Sequence, residues 1–104
     1  MIRHIVLFTL AATDPAQRDA DVAAMRERLG ALVGVVPGLT AMSVSRDLGL
    51  VEDHWDVVLV SDHDDNAALE GYQAHPAHQE AGAFVRSVTT SRATVDYELY
   101  TSTL

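Results

Sequence analysis

His4-Ile5-Val6-Leu7-Phe8-Thr9-Leu10 is the stretch from which the fold can be read. Successive residues of a strand point to opposite faces. Here both faces are apolar, with Val6, Phe8 and Leu10 on one and Ile5 and Leu7 on the other. A strand of this kind is covered on both sides. Trp55 to Val60 has the same character: Trp55, Val57 and Leu59 alternate with Asp56, Val58 and Val60.

Between these two stretches lies a helix signal. In Thr13-Asp14-Pro15-Ala16-Gln17, Asp14 suits the N-cap, Pro15 the first helical position and Gln17 the reciprocal capping-box role. Val22, Met25, Leu29, Leu32, Val33 and Val36 then form one apolar stripe. Gly34 marks its expected end, and Pro37-Gly38 the break. Leu39 to Arg46 reads as a strand, with Met42 and Val44 opposed by Ala41, Ser43 and Ser45, and Asp47 to Asp53 as an acidic turn. After Val60, Asp64 or Asp65 caps a helix that runs through Ala68, Leu69 and Tyr72 and stops before Pro76. Ala77, Ala81, Phe84 and Val88 stripe a further helical segment. Ala93 to Tyr100 is the last strand, with Ala93, Val95, Tyr97 and Leu99 on one face.

The order strand, helix, strand, strand, helix, strand predicts an α+β domain of ferredoxin-like βαββαβ plan. Its antiparallel sheet has helices on one face, and its first and third strands are central. Those are the two strands that read as apolar on both sides. Two helices cover only one face, so a second copy is the simplest cover for the other. A homodimer with sheets face to face, a dimeric α/β barrel, is the expected assembly.

Composition narrows the function. The 104 residues suffice for one domain, and 48% hydrophobic with 21% charged residues is globular composition. With no cysteine, the chain has no disulfide, zinc–thiolate site or cysteine nucleophile. A reducing, cytoplasmic setting is expected. The N-terminus lacks a signal-peptide pattern, and no segment approaches the ~20 apolar residues of a membrane span. A formal charge of −8 argues against nucleic-acid and anionic-membrane partners and says less about a small-molecule substrate, since a neutral cavity can sit inside an acidic shell.

The candidate chemistry lies in Gly71-Tyr72-Gln73-Ala74-His75-Pro76-Ala77-His78-Gln79-Glu80. Pro76 ends one helix and starts the next. His75 sits at the junction, where its ring is expected to cap backbone groups. His78 falls in the first turn of the second helix, whose partial positive charge favours neutral imidazole. Tyr72 lies on the inward stripe with Leu69. A neutral histidine and a phenol facing one cavity suit proton abstraction next to a carbonyl, with the phenol stabilising the enolate oxygen. That chemistry needs neither cofactor nor metal, and metalloprotease spacing is absent. A solvated helix corner is the plain structural alternative. His54 and His63 flank turns and read as solvated; Tyr97 and Tyr100 read as sheet residues, with Tyr97 in the core or the dimer interface.

His4 to Phe8, the strand Trp55 to Leu59 and above all Tyr72-x-x-His75-Pro76-x-His78 resemble the stress-responsive dimeric α/β-barrel (Dabb) family. The resemblance covers nearly the whole chain and implies a single Dabb-like domain over residues 1–104. Members of the olivetolic acid cyclase type use a tyrosine and a histidine that correspond to Tyr72 and His78, and a first-strand histidine that corresponds to His4. A further pocket histidine of that type aligns with Val57, where a polar wall has become apolar; this weakens transfer of the same substrate and leaves the Tyr72/His78 pair untouched. The resemblance implies catalysis by His78 and Tyr72, with His4, Val57, Phe8, Leu59 and Phe84 lining the substrate cavity. The expected reaction is cofactor-independent aldol-type cyclisation of a polyketide-like substrate. A non-catalytic ligand-binding or stress-response barrel is the alternative, and a monooxygenase of the same barrel shape the second.

Overall fold

The computed structural model describes residues 1–100. Its elements are β1 (Ile2–Leu10), α1 (Pro15–Gly30), β2 (Leu39–Arg46), β3 (Val57–His63), α2 (Asn66–Ala74), α3 (Pro76–Val88) and β4 (Thr89–Glu98). The strands form one antiparallel sheet in the order β2-β3-β1-β4, with β3 and β1 central, which is the ferredoxin-like arrangement.

The helix starts follow from their caps. The Asp14 carboxylate accepts the Gln17 amide at 2.9 Å and opens α1. Asp65 accepts the Ala68 amide at 2.8 Å and opens α2. Gln17 does not complete a capping box; its Nε2 donates forward to Asp21 at 2.8 Å. The end of α1 also differs from the sequence reading. The helix stops at Gly30, and 2.9–3.3 Å amide-to-carbonyl bonds carry the chain through turns to Val36. Gly34 lies beyond the helix with φ +86°, and Val33 is exposed rather than part of the buried stripe. At Gly38 the backbone has φ +79°, and a Cβ there would lie 2.6 Å from the Ala68 Cβ. Glycine thus lets α2 pack onto this turn.

β3 begins two residues later than Trp55 and runs past Val60 to His63. Asp56 lies outside the strand as an anchor: its carboxylate accepts the Leu10 amide at 2.8 Å and pairs with Arg18 at 2.7 Å. β4 follows α3 without a loop, beginning at Thr89 rather than Ala93. Tyr100 lies past its end and is exposed.

The core fills the helix-covered side, where Val6, Phe8, Val44, Val57 and Leu59 meet Val22, Met25, Leu29, Leu69 and Val85. On the other side Ile5 stands in register between Val60 and Val95, and Leu7 between Val58 and Ala93. Val95 is 61% and Tyr97 40% exposed there. Arg3 grips Asp62 on the same side with two bonds of 2.8 and 3.0 Å. Among the described residues no helix is long and apolar enough to cross a membrane. Helix α3 packs mainly on α1 and touches β4 little, so the helix-facing side of β4 is left open. That gap is the mouth of the cleft described next.

Candidate active site

Pro76 sets the local geometry. It has no amide hydrogen to continue α2, but it fits the first turn of α3. At the corner the His75 Nδ1 accepts the Ala77 amide at 3.1 Å, so this ring serves as the N-cap of α3. Tyr72 in the last turn of α2 and His78 in the first turn of α3 then pack ring against ring, with centroids 4.2 Å apart and planes inclined at 45°.

Two strand histidines complete the cluster. His4 on β1 is 7% exposed, and its Nδ1 pairs with the Asp96 carboxylate on β4. Its ring lies 6.3 Å from both Tyr72 and His63. His63, at the end of β3, is fully buried and stacks 4.7 Å from Tyr72. Its Nε2 bonds the buried Ser61 hydroxyl at 2.8 Å. The expectation of a solvated His63 is therefore corrected. Flanking Asp62, Asp64 and Asp65 make the stretch resemble a surface turn. Counting by two from Leu59 through Ser61, however, places His63 on the inward face.

His4, Tyr72 and His78 border a cleft of about 960 Å³ between α3 and the sheet, and His63 lies buried behind Tyr72. His4, Tyr72, His78, Phe8 and Leu59 all line it. Val57 and Phe84 do not. Val57 is buried and borders a separate, smaller recess with Trp55 and His54. Phe84 turns toward α1, where the Arg28 guanidinium sits 4.1 Å above its ring. The lining also includes Arg86 and Arg92, which the motif reading did not single out.

Three buried polar atoms in the cluster have no protein partner: the Tyr72 hydroxyl, the His78 Nδ1 and the His63 Nδ1. Burial pushes the Tyr72 phenol well above its usual range, so it is a hydrogen-bond donor. Burial also lowers the His78 pKa below its ordinary value; the Gln73 backbone opposes this, and His4, Arg86 and Arg92 reinforce it. Burial, rather than the helix end, is thus the leading reason for a neutral His78. His63 is lowered by burial first and by the nearby His4 second. Among the described residues no group of three His, Asp or Glu is placed to hold a metal ion. The arrangement offers one neutral base, one donor and one further imidazole, His4, around a space large enough for a small organic molecule.

The chain resembles several solved structures. A dimeric protein of unknown function and ferredoxin-like fold from Bacteroides fragilis superposes with TM-score 0.82 at 28% identity, covering 94% of this chain and 95% of that one. A dimeric ferredoxin-like protein of unknown function from Thermobifida fusca gives TM-score 0.76 at 32% identity, covering 94% and 90%. Hydroxynitrile lyase from Passiflora edulis shares the fold, with TM-score 0.75 at 18% identity over 97% and 94% of the two chains. No curated protein matches. The model of the stress responsive A/B barrel domain matches residues 2–99, and the chain belongs to this Dabb family.

Proposed function

We propose that the protein is a cofactor-independent enzyme in which His78 removes a proton from carbon next to a carbonyl and Tyr72 donates a hydrogen bond to the resulting enolate oxygen. The observation that carries this reading is the 4.2 Å Tyr72–His78 pair, with an unpartnered hydroxyl and an unpartnered Nδ1 beside the cleft. Buried polar groups left without partners are costly, so their retention speaks for a ligand that satisfies them. Ring closure of a polyketide-like chain fits best. The enolate carbon attacks a second carbonyl of the same molecule, one C–C bond forms, and the imidazolium returns its proton to the new alkoxide. The cleft supplies the folded conformation of the chain.

The same reading includes a homodimer, supported by the uncovered apolar side of the sheet and by the dimeric Bacteroides and Thermobifida structures. A reducing, cytoplasmic compartment suits a chain without cysteine.

The test is turnover of linear poly-β-keto thioesters, read as cyclised product. His78→Ala should lower the rate by ~10²–10⁴-fold while the fold is retained, and Tyr72→Phe should lower it less. Chelators should leave the rate unchanged. Wild-type turnover by His78→Ala, or reversible loss of activity on chelation, would sink the assignment.

A further inference from the structure

All seven cationic side chains are arginines. Five are engaged within the fold: Arg3 with Asp62, Arg18 with Asp56, Arg46 with Asp19, Arg26 on the Val44 carbonyl and Arg28 over Phe84. Arg86 and Arg92 make no ion pair among the described residues, and both border the cleft. In a chain of formal charge −8, the two arginines with no ion pair, side-chain hydrogen bond or ring contact among the described residues thus share one cavity.

They also share one end of it. Arg86 is in the last turn of α3 and Arg92 near the start of β4, which follows α3 directly. Arg92 stands in register with Phe8, whose side chain faces the helices, so it lies on the cleft side of β4. His78 begins α3, and Asp96, paired with His4, lies near the far end of β4. The arginine end is therefore about 12 Å from the Tyr72–His78 end along the helix axis and about 13 Å along the strand.

Gly82 falls midway between His78 and Arg86 at four-residue spacing, on the same helix face. A Cβ there would come within 3.3 Å of the Arg86 Nη1. Glycine is a poor helix former, yet here it leaves the helix surface bare between the two ends.

We propose that Arg86 and Arg92 form an oxyanion clamp that selects substrates with a carboxylate or phosphate at one end and a reactive carbonyl that reaches Tyr72 and His78 at the other. The clamp rests on the reading of this cleft as the active site and adds the charge class of the substrate. Guanidinium groups match the planar geometry of a carboxylate and bind phosphate equally well. They also supply a local positive field that the rest of this acidic surface lacks.

The experiment is calorimetric titration of the intact protein with 7-oxooctanoate, its methyl ester and octyl phosphate. The wild type should bind the acid about tenfold or more tightly than the ester. Arg86→Gln and Arg92→Gln should each remove that preference and leave ester binding unchanged, whereas Arg28→Gln should keep it. Octyl phosphate binding more tightly than the acid assigns the clamp to phosphate, and the reverse order assigns it to carboxylate. Equal binding of acid and ester by the wild type, a preference that survives in both variants, or no binding of either anion overturns the proposal. In His78→Ala the acid preference should persist. Slow turnover by His78→Ala without an acid preference leaves the catalytic reading standing and removes the clamp. An acid preference with wild-type turnover by His78→Ala does the opposite.

Discussion

Along β1, Ile5 and Leu7 look out from the side of the sheet without helices, while His4, Val6 and Phe8 look into the cleft. The two sides differ in how polar groups are treated. On the open side Arg3 and Asp62 satisfy one another with paired hydrogen bonds, and the rest of the central surface is aliphatic. On the helix side Tyr72, His63 and His78 each keep a buried atom without a protein partner. A surface made for another protein surface minimises unmet polar groups. A surface made for a substrate holds some in reserve, at a cost in stability. Because strand residues alternate, a slip of one position would exchange the two roles.

The largest effect expected from breaking this contrast comes from the open side. Val60→Asp would place an unpaired charge in the proposed seam, at a cost of about 3–5 kcal/mol. Sedimentation equilibrium at micromolar concentration should then give half the wild-type mass. An unchanged mass would remove the open face as the interface.

Acid separates the two sides next. His63 and His78 have folded pKa values below their ordinary 6.5, so the unfolded chain binds more protons in that range. Their contribution is complete above pH 6.5 and is lost as the pH falls from there through the lowered folded values. Asp62, held low chiefly by its bond to Arg3, keeps its contribution until the pH falls below its ordinary 3.8. Melting temperatures from pH 7.5 downward should therefore decline in two steps. His63→Gln should flatten the first step, and Arg3→Gln the second. A single decline confined to the carboxylate range would refute the first assignment.

Tyr72→Phe removes a buried hydroxyl that has no protein partner. The variant should melt higher, by about 1 kcal/mol of added stability, even as activity falls. A lower melting temperature would mean that the hydroxyl is satisfied within the free protein. The smallest effect belongs to His75→Ala, which removes only the bond to the Ala77 amide. A loss of about 0.5–1 kcal/mol in chemical denaturation is expected, and a loss several times larger would show the ring to be more than a cap.

Much of the fold can be read from the chain because alternation and capping are local signals. Two-sided apolar runs identify the central strands, and Asp14, the pair Asp64 and Asp65, and Pro76 place the helix starts, with the structure selecting Asp65. The ends are harder. Val33 fits the stripe of α1 in phase, but the helix has already stopped at Gly30, before its turn would face the core. Thr89 to Arg92 look like a polar loop, yet they pair with β1, because an edge strand buries little and needs no apolar pattern. In the site, Tyr72, His75 and His78 stand out through their proline-centred spacing. His63 is hidden among aspartates, and Phe84, in phase with the inward stripe, is drawn aside by Arg28. Arg86 and Arg92 become visible as a pair only once α3 is seen to run straight into β4.

The corner at Pro76 carries one more implication. His78 and Tyr72, the proposed base and donor, lie six positions apart, and their meeting depends on a single bend between two short helices. The walls around them, His4, Leu59 and Arg92, are contributed by three separate strands. In the proposed reading the reacting pair is local in sequence, whereas the groups around it are gathered from distant parts of the chain. On that reading, changes in these walls would alter the substrate while the seven residues from Tyr72 to His78 stay untouched, so one corner could serve several reactions.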